Sequence, residues 1–174
     1  MDSLVQLAQS QGVSLKVLSA AREVNHQLAD RLVEKIAQTL NSVENKEVGI
    51  LGLAFKPGTD DTREAPALVL VDQLLAAGAT VCATDPVAME IVRKQLGDRI
   101  EYEESNYTCA KGADALVLVT EWHEFRRPSF ERLKTLMKQP VLFDGRNIWS
   151  PSEVRAAGFT YYGIGRGKGG AGGA

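Results

Sequence analysis

Residues 47–67 read EVGILGLAFKPGTDDTREAPA, and this stretch decides the expected fold. It opens with the apolar run VGILGLAF, which is short, bounded by polar residues and typical of a buried strand in a parallel sheet. The loop that follows is polar and rich in turn formers, and an apolar helical pattern begins at Pro66. Ligands of open α/β sheets bind in the loops after the carboxyl ends of strands. Lys56 and Arg63 lie in this loop and are therefore placed to reach an anionic ligand.

Length and composition are those of a soluble globular protein. The chain has 174 residues, of which 44% are hydrophobic and 24% charged, and its formal net charge is −2. This is enough for one α/β domain with an appendage. The net charge argues against a general attraction to nucleic acid, so any anion site must be local. Without a signal peptide or a long apolar run, we expect a cytoplasmic protein that does not bind membranes.

The two cysteines, Cys82 and Cys109, give no sign of a metal site. They form no CxxC pair, and no other Cys or His lies at a metal-ligand spacing from them. We therefore expect no bound metal and two reduced, buried thiols.

A long helix precedes the α/β part. After a short helical pattern at residues 2–11, apolar residues recur at three- and four-residue spacing in a segment that begins at Leu15 and ends at Asn41. Such a helix must bury its narrow apolar stripe. We expect a partner subunit to cover it in a homodimer, and packing on its own domain is the alternative.

Strand and helix patterns then alternate along the chain. Strands are predicted at 48–54, 80–84, 99–102, 115–120, 141–144 and 159–164, and helices at 66–77, 87–96, 105–111, 128–138 and 151–157. The expected fold is α/β, with a long N-terminal helix followed by a Rossmann-like, mostly parallel sheet with helices on both faces. We expect domains at 1–45 and 46–166, and a disordered glycine-rich tail at 167–174.

The usual nucleotide motifs are absent from this sequence. Gly49 and Gly52 do not complete GxGxxG, and no GK[ST] follows as in a P-loop, which leaves close helix–strand packing as one explanation of the glycines. Asp85 ends the second strand, where an acid can bind a ribose. However, it lies 33 residues after Gly52, so a turn or helix cap is the alternative.

A second cation follows a later strand, in the sequence FDGRN at 143–147. If the order of strands brings their ends together, Lys56 and Arg146 form a two-cation pocket suited to a diphosphate. Asp144 is a possible structural partner of Arg146. Asp60 and Asp61 supply the alternative for the first loop, because they can pair with its cations.

A third strand end carries the sequence TEWHEF at 120–125. Trp122 and Phe125 are candidates for the wall of a base or sugar site, or for covering the core. Glu121 and His123 have the chemistry of an acid–base pair, but no nucleophile is evident nearby.

Three motifs in order, GLAFKPGTDDTREAP at 52–66, VTEW at 119–122 and FDGRN at 143–147, resemble the carboxyl-terminal part of the UDP-glucose/GDP-mannose dehydrogenase family. The resemblance runs from residue 2 to Arg166, and is strongest to members that oxidise UDP-glucose to UDP-glucuronate for polysaccharide synthesis. It implies a UDP-sugar-binding domain and the end of a central helical domain. The family's NAD-binding domain and its catalytic cysteine, in GGSCFPKD, have no counterpart here, which implies a fragment that is inactive alone.

Site residues follow from the same resemblance. It implies that Phe55, Lys56 and Arg146 contact the UDP-sugar and that Arg63 reaches the NAD side of the cleft. It implies no catalytic residue within this chain, and it favours the cap role of Asp85. Two alternatives remain: a stand-alone nucleotide-binding or assembly module, and a domain of a GDP-mannose or UDP-N-acetylsugar dehydrogenase.

Overall fold

The computed structural model describes residues 2–166, except for the side chains at positions 2, 3, 6, 9, 22, 25, 26 and 28. The glycine-rich tail predicted at 167–174 lies outside the described residues. Two helices come first, α1 at Asp2–Ser10 and α2 at Lys16–Leu40. The residue after α2, Asn41, has a φ of 63° and ends the helix in a left-handed conformation.

Helix α2 divides into two parts by burial. In its carboxyl-terminal half, Ile36 and Leu40 are 0% and 6% exposed and belong to the core of the α/β part. In its amino-terminal half, Val17 and Val24 are 82% and 52% exposed. Packing on its own domain therefore covers the carboxyl-terminal half of the helix and leaves these two valines exposed.

Six parallel strands form one sheet in the order β3-β2-β1-β4-β5-β6. The strands are β1 Glu47–Leu51, β2 Thr80–Thr84, β3 Glu101–Tyr102, β4 Ala115–Leu118, β5 Val141–Asp144 and β6 Thr160–Gly163. This order is that of a doubly wound sheet, which confirms the predicted Rossmann-like fold.

Five further helices connect the strands: α3 Pro66–Ala76, α4 Met89–Leu96, α5 Asn106–Cys109, α6 Phe130–Leu136 and α7 Pro151–Ala156. They cover both faces of the sheet. One core contains residues of α2, α3 and α4, such as Ile36 and Val71, and the other contains residues of α5, α6 and α7, such as Leu133. Successive side chains of a strand point to opposite faces of the sheet, so Ile50 packs in the first core and Leu51 in the second.

Several element ends differ from the prediction. The first strand ends at Leu51 instead of Ala54, because Gly52 turns the chain with a φ of 93°. Helix α4 begins at Met89 instead of Val87, because the Asp85 carboxylate binds the preceding N–H groups. The ends of the other elements shift by a few residues at most.

The glycines and cysteines of the core pack as the sequence suggested. A Cβ atom at Gly49 would lie 3.0 Å from the carbonyl oxygen of Cys109, so α5 approaches β1 through the missing side chain. Cys82 and Cys109 are 3% and 0% exposed, and a side-chain hydrogen bond with Cys82, together with burial, raises the pKa of Cys109. Within residues 2–166, no helix has the length and apolar character that crossing a bilayer requires.

Candidate functional site

The strand order reverses between β1 and β4, and this switch point lies at the carboxyl edge of the sheet. A crevice opens at such a point because the connections on its two sides run in opposite directions. The loops that follow β1, β4 and β5 all begin here. These loops carry the three motifs of the sequence.

Glycine allows these loops to approach one another closely. A Cβ atom at Gly52 would lie 2.4 Å from the Cβ of Thr120, and one at Gly145 would lie 2.6 Å from the carbonyl oxygen of Leu118. The Thr120 hydroxyl also donates a hydrogen bond to the carbonyl of Ala54 at 2.6 Å. Backbone atoms of three strands therefore meet without side chains between them.

Asp85 holds this edge together and is completely buried. Its two carboxylate oxygens accept five hydrogen bonds of 2.7–3.0 Å, from the backbone N–H groups of Leu53, Ala54, Val87 and Ala88 and the indole N–H of Trp122. These donors occupy the carboxylate, so its role is the turn and cap role and not the binding of a ribose.

The aromatic residues after β4 also have structural contacts. Trp122 is bound to Asp85, and Phe125 is 2% exposed in the second core. Glu121 pairs with Arg146 and not with His123, which is exposed. The packing therefore supports the interpretation that Trp122 and Phe125 cover the core, and not that they form the wall of a base or sugar site.

Arg146 reaches across β4 to the loop of β1. Its Nε donates to the carbonyl of Val119 at 2.7 Å and lies 3.0 Å from a carboxylate oxygen of Glu121. Its Nη2 donates to the carbonyl of Phe55 at 3.3 Å. The guanidinium thus lies over the switch point, with 34% of the side chain exposed.

The prediction that Asp144 is the structural partner of Arg146 is partly confirmed. Asp144 accepts a hydrogen bond from the backbone N–H of Arg146 at 3.0 Å, whereas the guanidinium pairs with Glu121. A buried carboxylate at a strand end binds the nearest backbone donors first, and the long arginine side chain extends beyond it.

Phe55, whose carbonyl accepts from this guanidinium, is followed in the first loop by Lys56. Lys56 is exposed and makes no hydrogen bond or ion pair with any described residue. The side chain of Phe55 is 47% exposed, although its backbone N–H is fixed by the carbonyl of Asp61 at 2.8 Å. The sheet order therefore brings the first loop to Arg146, which is the condition stated for a two-cation pocket.

Arg63 has a different environment from Lys56. Its Nε and Nη2 donate to the two oxygens of Asp61 at 2.8 and 2.7 Å, a bidentate pair on the surface. The hydrogen bonds from Arg63 hold the pKa of the Asp61 carboxyl well below its usual range. The predicted pairing within the loop is thus found at Arg63.

Two cavities lie between α2 and this edge of the sheet. The smaller, of about 100 Å³, is lined by Arg146 together with Leu32 and Ile164. The larger, of about 300 Å³, is lined by Arg31 and Lys35 of α2. The sequence interpretation missed these two cations. Their four-residue spacing on one helix face is the only signal, and it does not say which face meets the sheet.

No cluster of three or more His, Cys, Asp or Glu side chains suited to a metal ion occurs in the described part of the chain. The site consists of cations, backbone groups, the Glu121 carboxylate and one exposed aromatic ring. This combination suits a ligand with negatively charged oxygens and a flat or apolar part.

Comparison with known proteins gives a consistent result. UDP-glucose 6-dehydrogenase TuaD of Bacillus subtilis is 40% identical over 164 residues, which are 94% of this chain and 36% of that protein. The UDP-glucose 6-dehydrogenase of Pseudomonas aeruginosa is 41% identical over 97% of this chain and 38% of its own length. The chain thus spans well under half the length of these curated relatives.

Solved structures agree in fold. A UDP-glucose dehydrogenase from Pyrobaculum islandicum has a TM-score of 0.79 and 29% identity, over 92% of this chain and 35% of that one. A UDP-D-ManNAc dehydrogenase from Pyrococcus horikoshii has a TM-score of 0.74 and 29% identity, over 92% and 36% of the two chains. Residues 49–151, which contain all three motifs, match the family model described as the UDP binding domain of the UDP-glucose/GDP-mannose dehydrogenase family. The chain therefore belongs to the UDP-glucose/GDP-mannose dehydrogenase family.

Proposed function

We propose that the chain binds the diphosphate of a UDP-sugar at the switch point of its sheet. The observation that carries this proposal is the Arg146 guanidinium, which lies over the ends of β1 and β4 and donates to the carbonyl of Phe55, the residue before Lys56. Lys56 makes no hydrogen bond or ion pair with a described residue, and the nearby Asp61 carboxylate is held by Arg63, so the ammonium is available to an anionic ligand. Phe55 offers an exposed ring for the apolar part of the ligand.

Glu121 sets the balance of charge at this site. Its carboxylate lies 3.0 Å from Nε of Arg146, so a diphosphate approaches a cation that is already paired. The other guanidinium edge and Lys56 remain for the ligand. Two cations against one carboxylate leave a net attraction for a doubly charged group.

In the complete enzyme, the reaction would be the NAD-dependent oxidation of UDP-glucose to UDP-glucuronate. The identity of 40–41% to UDP-glucose 6-dehydrogenases supports this substrate. Residues 46–166 would form the UDP-sugar-binding domain, and residues 1–45 the end of a central helical domain. Arg63, which is 88% exposed, would face the NAD-binding domain.

Titration of UDP by calorimetry tests the proposal. Wild-type protein should bind UDP but not uridine, and Lys56→Ala and Arg146→Ala should each weaken binding roughly tenfold, the loss expected for a charged hydrogen bond. Lys94→Ala is the matched control, because this exposed lysine lies on α4 and is not part of the three loops. The assignment of the site is wrong if neither substitution weakens UDP binding.

A second candidate is a UDP-N-acetylsugar as the substrate, which the similarity to the Pyrococcus horikoshii UDP-D-ManNAc dehydrogenase favours. Competition between UDP-glucose and UDP-N-acetylmannosamine, with GDP-mannose as a third ligand, separates the candidates. Displacement of bound UDP by UDP-glucose at the lowest concentration supports the first proposal.

A further inference from the structure

Arg166, at the end of the described chain, is bound to the loop that carries Arg146. Its Nη1 donates to the carbonyl of Trp149 and to the hydroxyl of Tyr161, both at 3.1 Å, and its Nη2 donates to the carbonyl of Asn147 at 3.1 Å. A guanidinium presents its N–H groups in a rigid, planar fork, so one side chain fixes three acceptors in space.

A second set of contacts links the same residues to the backbone of Arg146. The Tyr161 hydroxyl, which accepts from Arg166, donates to Oδ2 of Asp144 at 3.0 Å. The other oxygen of Asp144 accepts the N–H of Arg146 at 3.0 Å. Tyr161 and Asp144 are each 1% exposed, so water does not compete for these bonds. Burial and the charge of Asp144 raise the pKa of Tyr161 to about 12, so the hydroxyl remains a donor at neutral pH.

The loop turns at Asn147 in a left-handed conformation. Asn147 has a φ of 56°, which asparagine adopts more readily than most residues, and hydrogen bonds from both sides hold it there. Its side-chain amide donates to the carbonyl of Ile164 at 2.9 Å, and its carbonyl accepts from Arg166. The segment that follows β6 therefore holds Asn147, the residue after Arg146, from two sides.

We propose that Arg166 is a positioning residue, which holds the loop at 145–150 so that the guanidinium of Arg146 stays over the switch point. Arg166 need not touch the ligand, because it acts through the carbonyls of residues 147 and 149. The inference rests on the proposed binding of UDP by Arg146. The residue lies outside the segment 49–151 and outside the three motifs.

A double-mutant cycle with UDP as the probe tests the inference. Arg166→Ala should weaken UDP binding about fivefold, as expected when supporting hydrogen bonds are lost. In the Arg146→Ala background the same substitution should have no further effect, because the group that it positions is gone. Unchanged affinity in the single variant, or independent effects of the two substitutions, would overturn the proposal.

Two further variants separate positioning from charge and from folding. Arg166→Lys keeps the charge but cannot reproduce the fork, so it should also bind UDP more weakly, and full wild-type affinity would contradict the proposal. Arg155→Ala is the matched control. Its guanidinium also lies by the ring of Tyr161, 5.8 Å from the centroid, and it donates no hydrogen bond to the loop at 145–150 in the described structure. We expect its UDP affinity to be unchanged.

Amide hydrogen exchange of residues 143–150 tests the inference without any ligand. Exchange should be faster in Arg166→Lys and Arg166→Ala than in the wild type and in Arg155→Ala. Equal rates in all four proteins would overturn the positioning role. Failure of the wild type to bind UDP, together with faster exchange in the Arg166 variants, would instead overturn the proposed function and leave the support of the loop established.

Discussion

Glu121 is the residue that competes most directly with a ligand for Arg146. The side chains of Glu121 and Arg146 are both about one-third exposed, although the Glu121 oxygen that faces Arg146 is buried. Glu121→Gln removes this competition and should strengthen UDP binding about threefold at low salt, since partly exposed ion pairs contribute less than ~1 kcal/mol. Calorimetric titration at two salt concentrations measures this effect, which should shrink at the higher one.

Glu124→Gln is the control for that experiment, because it removes a carboxylate from the same segment that forms no ion pair among the described residues. Equal or weaker UDP binding by Glu121→Gln would show that the carboxylate holds Arg146 in place instead of competing for it.

Gly52 carries the turn at the switch point, and its conformation leaves no room for a side chain. With a φ of 93° and Thr120 only 2.4 Å from an added Cβ, Gly52→Ala should lower the free energy of unfolding by about 3 kcal/mol or more. Gly58→Ala, in the same loop, has a φ of 78° but no atom within 4 Å of the added Cβ. It should cost only about 1 kcal/mol, from backbone strain alone.

Urea denaturation of the two glycine variants separates steric conflict from backbone strain. If Gly52→Ala lowers the free energy of unfolding no more than Gly58→Ala does, the predicted steric conflict is absent, because the ends of β1 and β4 can then move apart without a loss of stability.

At the scale of elements, the amino-terminal half of helix α2 carries two exposed apolar side chains. Val17 and Val24 are seven residues apart, lie on one face and are 82% and 52% exposed. We propose that a second copy of the chain covers this face. Val17→Glu together with Val24→Glu should convert a dimer into a monomer, because each places a charge in the apolar contact.

Light scattering after gel filtration measures the molar mass of the wild-type protein and of the double variant. Gln38→Glu adds a charge to an exposed position in the other half of α2 and should leave the mass unchanged. A wild-type protein that is monomeric at all concentrations would exclude the homodimer for this chain.

For the molecule as a whole, we expect no oxidation of UDP-glucose by the chain alone. Covalent catalysis by a cysteine needs an exposed thiolate, whereas both cysteines are buried and the pKa of Cys109 is raised. The absorbance of NADH at saturating UDP-glucose and NAD should stay at its blank value. A larger increase in NADH absorbance than that seen with the double variant Cys82→Ala, Cys109→Ala would contradict this prediction.

The sequence predicted those parts of the molecule that depend on neighbouring residues. Apolar runs and their spacing gave the strands and helices, and Asp61, two residues from Arg63, was named as its possible partner. The pairing of Arg146 with Glu121 depends on two loops 25 positions apart and on the length of each strand, so no local pattern predicts it. The end of β1 was missed for a similar reason, because Gly52 turns against Thr120, which follows another strand. The start of α4 depends instead on the local hydrogen bonds of Asp85 to the N–H groups of Val87 and Ala88.

The reach of Arg146 across β4 has a consequence for the newly made chain. Its guanidinium contacts residues 55, 119 and 121, which come from two other loops and meet only in the assembled sheet. While β5 and Arg146 are still inside the ribosome, the nascent polypeptide already contains Lys56 but lacks the second cation of the proposed site. Recognition of the nucleotide would therefore begin only after most of the domain has been synthesised, and a ligand present during translation would favour the finished sheet over any earlier intermediate.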